Sequence, residues 1–127
     1  MSVRIDAPAD GAAPNREVLG IPDVDIRLVD VLILAETSNN CDLDLVAPVD
    51  FDTAPAAANR LIALVDSSAA DIADNTVSRR ALLGLNGNVV VAGQPIIIVA
   101  TDDTVGAPTG QFYVQVSYIL DDEERTY

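Results

Sequence analysis

The stretch that decides the fold runs Pro95-Ile96-Ile97-Ile98-Val99-Ala100, then Thr101 to Gly110, then Gln111-Phe112-Tyr113-Val114-Gln115-Val116-Ser117-Tyr118-Ile119-Leu120. In the last segment Phe112, Val114, Val116, Tyr118 and Leu120 alternate with Tyr113, Gln115, Ser117 and Ile119. A period of two places the two sets on opposite faces of a β-strand. The isoleucine-rich run is β-branched almost throughout, which favours a strand buried on at least one face. The Asp-, Gly- and Pro-containing segment between them reads as the loop of an antiparallel hairpin. Phe112, Tyr118 and their aliphatic neighbours are therefore expected to be scaffold.

Working back along the chain, Val24 to Glu36 repeats the pattern with one slip. Val24, Ile26 and Leu28 share a face, and then Val29, Val31 and Ile33 continue it. One extra residue in an alternating strand is the signature of a β-bulge. Thr37-Ser38-Asn39-Asn40 reads as a turn, and Cys41, Leu43 and Leu45 then alternate with Asp42 and Asp44. These two segments read as a second hairpin. Arg60 to Val65, Ser78 to Leu85 and Asn88 to Val91 supply further short strands, although Ala56 to Leu64 also suits a helix. Seven or eight short strands at intervals of about ten residues predict an all-β antiparallel sandwich or jelly roll.

Residues 1–22 lack periodicity over Asp6 to Asn15 and are rich in Ala, Pro, Gly and Asp. They read as an extended N-terminal arm, in which Val18 to Pro22 could add one short edge strand that Pro22 limits, with the β-sandwich domain spanning 23–127. An arm is a natural place for partner contacts. The residues expected to make them are Val3, Arg4, Ile5, Val18, Leu19 and Ile21, together with the Arg79-Arg80 pair. The tail after Leu120 reads as a solvated acidic end, with Tyr127 able to dock on a neighbour.

Composition narrows the function. The 127 residues carry seven positive side chains, all Arg, against 20 acids, a net charge of −13. That balance argues against a nucleic-acid surface and against anionic membranes. No apolar run approaches the roughly 20 residues of a membrane-spanning helix. The first residues lack the apolar segment of a secretory signal, so synthesis in the cytoplasm of the maker is expected.

With no His in the chain, the commonest general base and metal ligand is missing. Catalysis would fall to carboxylate pairs such as Asp42/Asp44, Asp50/Asp52 or Asp102/Asp103. The chain has two Phe, three Tyr and no Trp, which leaves few platforms for sugars. Asp50-Phe51-Asp52 and Asp102-Asp103-Thr104 fall in loops but do not follow the EF-hand pattern. The expectation is no enzyme, no cofactor, no metal and no small-molecule substrate. Cys41, the single cysteine, reads as a buried structural residue. Arg60, Arg79 and Arg80 are expected in ion pairs, within the chain or between subunits.

The segments Val29-Asp30-Val31-Leu32-Ile33-Leu34-Ala35-Glu36-Thr37-Ser38-Asn39-Asn40, Asn59-Arg60-Leu61-Ile62, Gly93 to Thr101 and Gly110 to Leu120 follow one another in a suggestive order. An apolar strand, a Gly-containing loop and an alternating strand lead into a short charged tail. Over about residues 24 to 125 this order resembles the jelly-roll head decoration, or cement, proteins of tailed bacteriophages. The acidic balance and the long Pro/Ala-rich start depart from that pattern. The resemblance implies a homotrimer or other small oligomer on the outer capsid surface of a virion, bridging major capsid subunits. The other reading is a carbohydrate- or receptor-binding β-sandwich module of a phage fibre or spike.

Overall fold

The computed structural model describes residues 1–67, 72 and 74–121. Among these residues there are nine strands: β1 (Ser2–Asp6), β2 (Asn15–Gly20), β3 (Ile26–Asn39), β4 (Cys41–Val46), β5 (Val65–Asp66), β6 (Thr76–Arg80), β7 (Val89–Val90), β8 (Ile96–Asp102) and β9 (Thr109–Leu120). They form two sheets, one in the order β1-β9-β3-β6 with β7 also on β3, the other β2-β8-β4-β5. Every pairing is antiparallel. The architecture is the all-β sandwich that the alternating segments predict.

Alternation builds the core directly. Val31, Ile33 and Ala35 of β3 sit opposite Val116, Val114 and Phe112 of β9, and all six are buried. The second sheet answers with Leu43 and Leu45 opposite Ala100 and Ile98, also buried. Among the described residues, Phe112 is the one aromatic side chain in a core otherwise made of aliphatic side chains and Cys41. Gly110 makes room beside its ring. At φ +131, a Cβ on Gly110 would lie 2.8 Å from Ser38 Cβ and 3.1 Å from Phe112 Cζ.

The slip in β3 is a bulge. Its register against β9 shifts between Leu28 and Asp30, so Ile26 and Leu28 face inward before it and Val31, Ile33 and Ala35 after it. Val29 is the extra residue and is half exposed rather than part of the inner stripe.

Both expected hairpins are corrected. Strand β8 pairs with β2 and β4, whereas β9 pairs with β1 and β3. The loop 103–108 therefore crosses from one sheet to the other. In the same way β3 and β4 lie in different sheets and the turn at Asn39–Asn40 crosses between them. Alternation specifies which side chains share a face, but it carries no information on which strand is the neighbour. Packed sheets lie about 10 Å apart, a gap that a few loop residues span.

The N-terminal 22 residues are extended but do not stand apart as an arm. They supply one edge strand to each sheet, β1 against β9 and β2 against β8. The amino group of Met1 donates to the Val116 carbonyl at 2.9 Å, and Ile5 is only 2% exposed. The aperiodic Pro/Ala/Gly segment is the turn between two short strands, closed by Ala12 N–H donating to the Ala9 carbonyl. Accordingly, no structural boundary falls at residue 22.

Residues 56–64 hold turns and isolated bridges, not a helix. Val46 bridges to Arg60 and Ile62 to Leu82. The region 78–91 contributes β6, a 3-10 turn at Leu85–Asn88 and the two-residue β7. The tail 122–127, with Tyr127, lies outside the described residues.

Candidate functional site

The eight residues expected to meet partners separate into buried and exposed sets. Ile5 lies in the core and is unavailable; its alternation with Val3 was too short to reveal a core strand. Val3 and Leu19 pack, partly buried, against the same core. Val18 packs on Val46, Ile97 and Val99 at the outer face of the β2-β8-β4-β5 sheet. Arg80 takes the inward phase of β6, and its Nη1 donates to Ser78 Oγ at 3.2 Å. That leaves Arg4, Ile21 and Arg79 as exposed.

Those three mark two distinct apolar surfaces. The first is the outer face of the β1-β9-β3-β6 sheet. Its cross-strand row Arg4–Tyr113–Leu34–Val77 adjoins the row Ser2–Gln115–Leu32–Arg79. The first row, with Ser2, Gln115 and Leu32 of the second, lines a shallow groove of about 530 Å³. The second lies at one end of the sandwich, where Ile21 and Val24 stand beside Tyr118 and Leu120. Tyr118 and Leu120 hold the core-facing phase of β9, opposite Leu28 and Ile26. They are nevertheless 45% and 53% exposed, although Leu28 and Ile26 opposite them are each 2% exposed; β1 pairs with β9 only as far as Gln115, which leaves this end of β9 as an open edge. Alternation places both in the scaffold; periodicity reports the face of a strand and not where its flanking strand ends.

The candidate carboxylate pairs have other partners. Asp50 Oδ1 accepts from the backbone of Asp52 and Thr53 and from Thr53 Oγ1, which makes it a turn cap. Asp102 accepts from Gly11 N–H at 3.0 Å and Thr104 N–H at 2.8 Å, and these bonds hold its carboxyl below the usual range. Asp44, 5% exposed, is gripped by Arg60 through Nε and Nη2 at 2.8–3.0 Å. Arg79 pairs with Asp30 at 3.0 Å. The Arg60 and Arg79 pairs are both within the chain.

One cluster escaped the sequence reading. Asp42, Asp66 and Asp103 bring carboxylate oxygens within 4.8 Å of one another. Pairing of β4 with β5 sets Asp42 opposite Asp66, and the crossover loop adds Asp103. Oxygen atoms at this spacing can share a proton or contribute part of the shell of a hard divalent cation. Desolvation, then the charges of Asp66 and Asp103, push Asp42 up from 3.8 to about 6. Its Oδ1 is enclosed without a hydrogen-bond partner. The adjacent Cys41 thiol is fully buried and pushed up to about 12, mainly by desolvation, so it is no nucleophile.

The pH consequence has a definite sign. Between 3.8 and about 6 folded Asp42 holds its proton while the unfolded chain releases it. Its contribution to stability therefore grows as pH falls from 7 towards 4. Asp42→Asn is expected to stabilise the protein at pH 7 by about 1 kcal/mol, after allowance for solvent screening. That gain should shrink towards zero near pH 4 in paired thermal melts. A gain that does not change with pH would contradict the shared proton.

Set beside known protein families, curated proteins and solved structures, the chain matches none.

Proposed function

We propose that this chain is a structural virion protein, a decoration or cement protein on the outer surface of a phage head. In this reading it binds the major capsid protein as a homotrimer or other small oligomer and stabilises contacts between neighbouring capsid subunits. The strand order supports the jelly-roll part of the reading. With two-residue β7 set aside, the chain passes between sheets at each step except β4 to β5, giving four-stranded sheets β1-β9-β3-β6 and β2-β8-β4-β5. Two four-stranded sheets wound in this way are the jelly-roll pattern.

The apolar end carries the functional part. Ile21, 62% exposed, stands with Val24, Tyr118 and Leu120 at the open end of β9. Apolar groups gathered at one end of a protein with net charge −13 favour docking on a broad protein surface. Such docking points the acidic remainder outward, where self-repulsion keeps coated particles apart.

Co-sedimentation with empty capsids from the same source tests the reading. The intact chain should pellet with the shells, and Ile21→Asp combined with Tyr118→Ser should weaken that binding at least tenfold. Glycan-array binding without capsid binding would replace this reading with the fibre-module one.

A further inference from the structure

The two sheets differ in how their outer faces are finished. On the β2-β8-β4-β5 sheet, outward Val46, Ile97 and Val99 are fully buried. Arg16, on the same face, donates to the carbonyls of Phe51 and Thr53, which ties the 50–53 turn over this side. On the β1-β9-β3-β6 sheet no described segment plays that part. Tyr113 is 40% and Val77 58% exposed, with Leu32 and Leu34 partly exposed between them.

The charges of this bare face are unlike those of the rest of the molecule. They fall into three ion pairs: Arg4–Asp6, Arg79–Asp30 and, at the far end, Arg27–Asp121. Glu36 adds one more acid on the outward strand positions. Among the described residues the face thus carries about one net negative charge, against thirteen for the whole chain. A partner that recognised this protein through charge would be basic and would settle on the acidic remainder. A near-neutral apolar face selects instead a molecule whose own contact surface is equally neutral. For two molecules of charge −13, it is also the approach with the least direct repulsion.

We propose that the outer face of the β1-β9-β3-β6 sheet is where one copy of this chain packs on a second copy. Tyr113, Leu34, Leu32 and Val77 form the dry centre, and the ion pairs Arg4–Asp6 and Arg79–Asp30 lie at the rim. Sheet faces pack about 10 Å apart with interdigitating side chains, and a stripe of Leu, Val and Tyr suits that geometry. Paired rim charges keep their partners on association, so little desolvation is left uncompensated. This contact holds with or without a capsid.

Light scattering on the purified full chain, over a dilution series, reads the result. The intact protein should show a mass of two or more copies that falls on dilution. Val77→Glu lies on an exposed edge strand, and Leu34→Glu at the centre of the stripe. Each should reduce the mass to that of one chain at every concentration, with circular dichroism unchanged; Val77→Glu serves if Leu34→Glu impairs folding. An intact protein monomeric at its solubility limit would overturn the proposal. So would oligomers that survive Val77→Glu but dissociate with Ile21→Asp, which would move the contact to the apolar end. Capsid binding by a monomeric Val77→Glu chain would separate this contact from the proposed docking end.

Discussion

A chain cut to residues 23–127 is expected to lose its cooperative fold. The missing segment contains both edge strands that flank β9 and β8. It places Ile5 inside the core and packs Val3 and Leu19 against it, with Val18 on the second apolar cluster. At about 1.5–3 kcal/mol for fully buried Ile5 and roughly half that for each of the three partly buried side chains, these four contribute on the order of 4–7 kcal/mol. A domain of this kind has only about 5–15 kcal/mol in total. The cut also bares the hydrogen-bonding edges of β9 and β8, templates for aggregation. Circular dichroism and a thermal melt decide the matter. A soluble 23–127 chain melting within a few degrees of the intact protein would restore the arm.

The same segment illustrates what the sequence made legible. A strand reveals itself through repetition, and β9 and β3 repeat often enough that Phe112, Val114, Val116, Ile26, Leu28, Val31 and Ile33 read correctly as inner residues and the slip reads as a bulge, whereas Val29, Tyr118 and Leu120 fall outside the buried stripe. Strand β1 offers only Val3 and Ile5 in phase, below the length at which alternation is distinguishable from chance. The Pro- and Ala-rich turn that follows obscures where β1 ends and β2 begins. Pairing was illegible for another reason. Ile96 to Ala100 is buried on both faces, so it shows no alternation from which to infer a neighbour. The jump from β8 to β9 across the sandwich is a decision of the whole fold, which sets β8 between β2 and β4 and β9 between β1 and β3.

The surfaces were legible by residue type and not by place. Arg79 and Arg60 were expected in ion pairs, and their scarcity in an acidic chain was the signal. Asp42, Asp66 and Asp103 gave no such signal, because acids are abundant and 61 positions separate the first from the last. Their convergence depends on two crossings between the sheets that local pattern does not encode. The apolar row Tyr113–Leu34–Val77 was hidden likewise. Each member reads as an ordinary strand residue, and only the register of β6 on β3 and β3 on β9 makes them neighbours.

Phe112→Ala should be the most damaging single substitution in the core, lowering stability by about 4 kcal/mol. Phe112 is fully buried and heads the largest enclosed side chains. Its cross-strand neighbours are Ile5 on β1 and Ala35 on β3, a large and a small residue on either side of the ring. Removing the ring leaves a void that Val, Ile and Ala have little freedom to fill, since β-branched side chains are stiff and Ala has no rotamers. In a domain of this size the loss corresponds to a fall in Tm of roughly 15 °C. Phe51→Ala is the matched control. The chain's other Phe is 48% exposed, and it serves Arg16 through its carbonyl, which the substitution keeps. That variant should stay within about 0.5 kcal/mol of the intact protein, the usual range for surface changes. Denaturant titrations of the two variants side by side would measure the contrast. Equal losses would mean that the ring of Phe112 does not occupy the centre of the sandwich, and the alternation of β9 would have to be read in the opposite phase.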